Sequence, residues 1–170
     1  MKKILLSCLT LAFVGCSSNT YETKTQVSDF DGTVYKKSTP AIVSCKEWGG
    51  EFCPYLTYTW SNKSSENIRV TAGVRTSLNY FNFTKIAFNI DGQIFEYDNY
   101  GLNNHKYLSS INMKESEADF IMPKSVYNKF STAKIIKLKL TTMSDGAIER
   151  TILDNGVESK AYKAIKAFNP

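Results

Sequence analysis

The sequence contains one histidine, His105, among its 170 residues. General-base chemistry by imidazole therefore has a single candidate, set in the polar stretch Asn103-Asn104-His105-Lys106, and a metal site would lack a second imidazole ligand. The chain also lacks the G-x-S-x-G of a nucleophile elbow, the H-E-x-x-H of a zinc protease and a glycine-rich phosphate loop. No internal repeat is present, and strand-like segments do not alternate with helical ones as βαβ units would. The longest apolar run, Ile4 to Phe13, falls well short of the roughly 20 residues that a spanning helix needs. Charge is scarce in excess as well. With 21 basic and 16 acidic residues the net charge is +5, too mild and too scattered for a nucleic-acid partner, which calls for a concentrated basic stripe.

What is present begins at the N-terminus. Lys2 and Lys3 precede the short apolar run, and Val14-Gly15-Cys16 follows it. A basic start, a short hydrophobic stretch and a small residue before the cut have the form of an export signal. Val14-Gly15-Cys16 resembles the lipobox of bacterial lipoproteins, with Phe13 standing where that family most often has leucine. The resemblance covers the signal and tether only. It implies a diacylglyceryl group on Cys16, cleavage before that residue and usually a third acyl chain. Ser17, where an aspartate would retain the protein in the inner membrane, implies sorting to the outer membrane. At about 0.8 kcal/mol per buried methylene, two or three chains make a lasting anchor. The covalent lipid on Cys16 is thus the only non-protein group expected, with no metal and no other cofactor.

Cleavage before Cys16 would leave 155 of the 170 residues; it would remove two basic residues and no acidic one, lowering the charge from +5 to +3. That length suits one domain. Of four cysteines, Cys8 leaves with the signal and Cys16 is acylated, so Cys45 and Cys53 remain as a pair in an oxidising compartment and are expected to form a disulfide. Residues 16–28, polar and without apolar period, read as a lipidated flexible tether after the 1–15 signal, and 29–170 as a single domain.

Within that domain, β-branched and aromatic residues fall in short runs separated by turn formers. Leu56, Tyr58 and Trp60 alternate with Thr57, Thr59 and Ser61. Strands are also expected over Ile68 to Thr76, Tyr80 to Ile90 and Gln93 to Tyr97, with Asp91-Gly92 as a hairpin turn. Gly101 to Lys106 reads as a loop, Ala118 to Met122 as a strand, and Pro123 to about Ser131 as a short helix. Ala133 to Met143 is a strand apolar on one face only, and Asp145-Gly146 turns it into Ala147 to Leu153. Val157, Ala161, Ala164, Ile165 and Phe168 recur at helical spacing with lysines opposite, which predicts a C-terminal amphipathic helix. The fold class expected is α+β, a largely antiparallel sheet with one or two short helices; the alternative is an all-β sandwich with a C-terminal helix.

Several groups invite a chemical reading. Asp29-Phe30-Asp31-Gly32-Thr33 resembles the first motif of haloacid-dehalogenase-type phosphatases, whose first aspartate is the nucleophile. The resemblance ends after those five residues: the preceding segment is polar where that family has a buried strand, so Asp31-Gly32 is read as a turn. Glu115, Glu117 and Asp119 share one side of an extended segment, and exposed charge is the expectation over calcium binding. Aromatics make up 13% of the chain, more than the core obviously requires. Tyr97, Tyr100 and Tyr107 with His105 are a candidate ligand surface suited to sugar rings, though core packing is the commoner use of such tyrosines. Lys137 and Lys139 with Lys160 and Lys163 would form a basic face for lipid headgroups or an acidic partner if strand and helix lie side by side. With no catalytic set assigned, the expected function is a non-catalytic binding or adaptor module of the cell envelope, partnered by the membrane and an envelope protein or glycan. An envelope hydrolase, or an inhibitor or immunity-type lipoprotein, is the alternative.

Overall fold

The computed structural model describes residues 21–45, 52–144 and 146–170. The signal, Cys16, the first part of the tether and Asp145 lie outside them. Along the chain run strands β1 (Thr23–Val27), β2 (Val34–Ser38), β3 (Ala41–Ile42), β4 (Cys53–Ser61), β5 (Asn67–Thr76), β6 (Phe83–Ile90) and β7 (Gln93–Asp98). They are followed by β8 (Asn104–Leu108), β9 (Met113–Pro123), helix α1 (Lys124–Lys129), β10 (Ile135–Thr142), β11 (Ala147–Asp154), β12 (Val157–Glu158) and helix α2 (Lys160–Ala167). The strands form two antiparallel sheets. One has the order β1-β2-β4-β5-β9-β8 with β3 added on β4, and the other β12-β11-β10-β6-β7. The α+β description fits, and Cys45 is bonded to Cys53 as expected.

Period-two alternation assigns the faces. Leu56 and Tyr58, Ile68, Val70, Ala72 and Val74, and Phe120 and Met122 turn inward from the first sheet. Ile86, Phe88, Ile136, Leu138 and Leu140 come from the second and join the same core. Each fully buried Leu, Ile or Phe contributes about 1.5–3 kcal/mol.

The sheets form a wedge. At the closed corner β6 and β7 approach β9, and the chain crosses between sheets where Asn99 bridges to Phe120. Two asparagines seal this corner: Phe83 N–H donates to Asn103 Oδ1 at 2.7 Å, while Asn103 Nδ2 and Asn99 Nδ2 donate to the Phe83 carbonyl at 3.2 and 3.1 Å. At the open mouth α2 lies between β3 and β4 of one sheet and β11 and β12 of the other. Ser159 caps this helix by accepting from Tyr162 N–H at 3.1 Å, and Ala161, Tyr162, Ala164 and Ile165 are buried under it. Tyr127 of α1 donates to the Ile165 carbonyl at 2.8 Å, locking the two helices together.

The strands expected from Tyr80 and Ala133 begin at Phe83 and Ile135, and four other differences from the sequence reading have a physical cause. The tether does not extend to Ser28, because Thr23–Val27 is a strand paired along its length with β2; as an edge strand it needs backbone partners, not an apolar face. The presumed loop from Gly101 contains β8, a second polar edge strand. β9 starts at Met113, five residues before the expected Ala118. Val157 lies in β12, with its side chain exposed, and the helix begins only after the Ser159 cap.

Candidate functional site

The alternation that fills the core also builds the outer face of the first sheet. Register sets Tyr55 opposite Gly73, Gly73 opposite Glu117, and Glu117 opposite Asn104. One row along, Thr57, Thr71 and Asp119 stand abreast, and Arg75 faces Glu115, which faces Lys106.

Gly73 is the reason the face is organised as it is. A Cβ built there would lie 2.3 Å from Tyr55 Cζ, so only glycine lets the phenol lie across β5. From that position Tyr55 donates to Glu117 Oε1 at 2.8 Å. The Arg75 guanidinium stands 5.1 Å from the Tyr55 ring centroid and donates through Nε to Glu115 Oε2 at 2.5 Å. Lys106 reaches Glu117 Oε2 at 3.2 Å, and Thr71 donates to Asp119 Oδ1 at 2.5 Å. Burial pushes the Tyr55 hydroxyl far above its ordinary range, and the carboxylate of Glu117 adds to the rise. Burial also pushes the Glu117 carboxyl up, but the Tyr55 hydrogen bond and the Lys106 ammonium outweigh it and leave the group below its usual value. Glu115 holds the Arg75 guanidinium still more firmly protonated.

Glu115, Glu117 and Asp119 do share one side, as their spacing indicates; the expectation of exposed charge is corrected for Glu115 and Glu117, while the Asp119 side chain stays 38% exposed. The Glu115 side chain is 6% exposed and that of Glu117 21%, because cross-strand cations and a tyrosine cover them. The residues that cover them escaped the sequence reading. The available signal was Gly73, a glycine inside an otherwise apolar-patterned strand, which marks a close approach.

Beside this network lies a concavity of about 380 Å³, lined by Thr57, Thr71, Lys106, Glu117 and Asp119 together with Lys37, Pro40, Arg69 and Leu102. Leu102 is 96% exposed. The Lys37 ammonium makes no hydrogen bond or ion pair among the described residues, although its charge helps lower Glu117. The outer face of the second sheet carries its own concavity of about 470 Å³, lined in part by Ile94, Lys137, Lys139 and Glu149. There Lys139 pairs with Glu149 at 3.3 Å.

The remaining sequence candidates are dispersed. His105 Nε2 lies 3.0 Å from the Phe81 carbonyl, and its ring stacks on Tyr80 at 4.9 Å. Tyr97 is half-buried against the core, and burial raises its hydroxyl. Tyr107 is exposed and donates to Asn112 Oδ1 at 2.6 Å, while Tyr100 is exposed and its N–H donates to the Asp119 carbonyl at 2.7 Å. No ring contact joins these four among the described residues. Lys137 and Lys139 point outward from β10, whereas Lys160 and Lys163 belong to the helix in the wedge mouth, with β11 between β10 and β12. The side-by-side arrangement that would merge them is not formed.

Asp31 closes the turn between β1 and β2. Its Oδ1 accepts from the Thr33 N–H at 3.0 Å and hydroxyl at 2.6 Å, and its other oxygen pairs with Lys63. The Lys63 bond first and the Thr33 bonds next hold its carboxyl far below the usual range. Gly32, at φ +66°, supplies the left-handed residue of that turn. No group of three or more His, Cys, Asp or Glu side chains is arranged to hold a metal ion among the described residues. Set against protein-family models, curated proteins and solved structures, the chain matches none.

Proposed function

We propose that this chain is a lipid-anchored protein of the bacterial envelope, attached through an acylated Cys16 and sorted to the outer membrane, whose β domain is a non-catalytic binding module. The outer face of the first sheet is its partner surface. The observation that carries this reading is that the charged lining of the concavity is already held: Lys106 and the neighbouring Tyr55 both bond Glu117, and Thr71 bonds Asp119, so a partner need not order these carboxylates on binding. Around them stand an uncommitted ammonium at Lys37 and an exposed leucine at Leu102. Charges of both signs beside hydroxyls and one apolar contact suit an envelope protein segment, with an envelope glycan as the other class.

No hydrogen bond between His105 and a carboxylate is formed among the described residues. His105 is bound to a backbone carbonyl and Asp31 to its own turn, which supports binding over catalysis.

The test is crosslinking of the full chain in cells, then purification from the envelope and identification of what is attached. One stoichiometric protein lost in Lys37→Glu and Leu102→Asp variants, but retained when Lys137 is changed to Glu, supports the reading. Capture that survives both changes on the first sheet overturns it. Acyl labelling that persists in Cys16→Ala would remove the anchor.

A further inference from the structure

The way the chain enters the domain fixes which side faces the anchor. Tyr21 packs against the core, and Thr23 donates through its hydroxyl to the Ala167 carbonyl at 3.1 Å. The N-terminal entry therefore lies beside the last turn of α2, at the mouth of the wedge. From Cys16 to Tyr21 the chain advances five residues, which extend to no more than about 17 Å at roughly 3.5 Å each. A domain of this length has a radius of gyration of about 15 Å and so measures about 38 Å across. The link is shorter than the domain is wide, and the closed corner cannot be brought to the anchoring surface.

The mouth is cationic. Helix α2 turns Ala161, Ala164 and Ile165 inward, and Lys160, Lys163 and Lys166 occupy its exposed side. Thr23 turns toward the helix and Lys24 away from it: Lys24 lies opposite Lys37 on β2 and shares with it the outer face of the first sheet. Glu158, just before the helix, is held by Lys166 at 2.6 Å. The exposed side of α2 thus keeps an excess of ammonium groups on long aliphatic stems, a form suited to headgroup phosphates.

We propose that the wedge mouth at the outer side of α2 is the face this domain turns to the membrane, where Lys160, Lys163 and Lys166 bind anionic phospholipid headgroups. This rests on the reading of Cys16 as the anchor. It joins Lys160 and Lys163 to the entry strand rather than to Lys137 and Lys139. It also leaves the outer face of the first sheet open to a partner.

The test is an amine footprint. The full chain isolated from the membrane fraction is reconstituted in vesicles of phosphatidylcholine alone, or with about one third phosphatidylglycerol, and treated with a membrane-impermeant acetylating reagent. Mass spectrometry then reads each lysine and, in the same digest, the acyl mass on Cys16. Lys160, Lys163 and Lys166 are expected to be protected about fivefold in the anionic vesicles relative to the neutral ones. High salt should abolish the difference, and Lys137 and Lys139 should label equally in both. Equal labelling of the two lysine groups in anionic vesicles overturns the proposal. A Cys16 peptide without acyl mass would instead overturn the anchor; the same footprint, taken after mixing the protein with those vesicles, still decides the lysine face by protection or its absence.

Discussion

The two ends of the wedge are closed by different physics. At the corner, backbone pairing passes from one sheet to the other through Asn99, and side-chain amides satisfy both polar groups of Phe83. At the mouth the sheets are held apart and sealed by an apolar helix face, with Tyr58, Tyr127 and Phe168 packed against one another. The corner is therefore specified by hydrogen-bond geometry, and the mouth by volume. Geometry fails when one partner is removed, whereas volume fails in proportion to the atoms lost.

The mouth should give the larger effect. Phe168 is 3% exposed and touches both Tyr58 and Tyr127. Phe168→Ala is expected to cost about 3–5 kcal/mol, read from urea unfolding midpoints, because the helix cannot collapse into the space without leaving one of the sheets. A loss below 1 kcal/mol would mean that α2 is not what seals the wedge. At the corner, Asn103→Ala strands the Phe83 N–H and is expected to cost about 1–3 kcal/mol. Asn103→Asp keeps an acceptor for that N–H but cannot donate to the Phe83 carbonyl, so it should recover part of the loss. If Asn103→Asp is as damaging as Asn103→Ala, the amide acts through packing and the contrast between corner and mouth weakens.

Gly73→Ala carries the comparison to the outer face of the first sheet. The added methyl would meet the Tyr55 ring, with Cε1 at 2.7 Å and the hydroxyl oxygen at 2.4 Å. The ring has to swing off β5, breaking its bond to Glu117 and its contact with Arg75. A cost of about 1–3 kcal/mol is expected, together with greater tyrosine accessibility to a nitrating reagent. Unchanged stability and accessibility would show that the phenol does not rely on the glycine.

Legibility in the sequence followed burial. β5 and β10 announce themselves because each buries mainly one face, and an alternating pattern is the direct record of that; β4 alternates in sequence although Pro54 to Tyr58 are buried on both faces. β1 and β8 are invisible to the same test, since an edge strand is defined by backbone pairing and carries Thr-Lys-Thr-Gln-Val or Asn-His-Lys-Tyr-Leu without any buried row. Val157 was ambiguous in principle: it lies four residues before Ala161, a helical interval, and also at the end of a strand turn. For the candidate site, spacing alone put Glu115, Glu117 and Asp119 on one side. What covers them depends on register, because Arg75 and Lys106 reach Glu115 only through the pairing of β5 and β8 with β9. The lysine groups illustrate the same limit. Whether Lys139 and Lys163 share a face is a question of strand order, which no local pattern encodes.

The smallest expected effect concerns proton linkage at Glu117. Its folded carboxyl titrates below its ordinary value: burial opposes ionisation, but the Tyr55 hydroxyl and the Lys106 ammonium favour it more strongly. A carboxyl lowered by folding contributes stability that is fully present above its unfolded value of 4.5 and is lost as pH falls through the folded one. Between pH 7 and 5 the wild type should therefore exceed Glu117→Gln by a constant margin of about 1 kcal/mol. Below the ordinary carboxyl range the margin should shrink, because protonation brings the wild type toward the neutral variant. Tyr55→Phe, which removes the donor but not the burial, should raise the Glu117 titration and move this loss to higher pH. Parallel stability curves for wild type and Glu117→Gln down to pH 3 would show that the carboxylate is not tied to the fold, and the outer face of the first sheet would then lack the fixed charge on which its binding role depends.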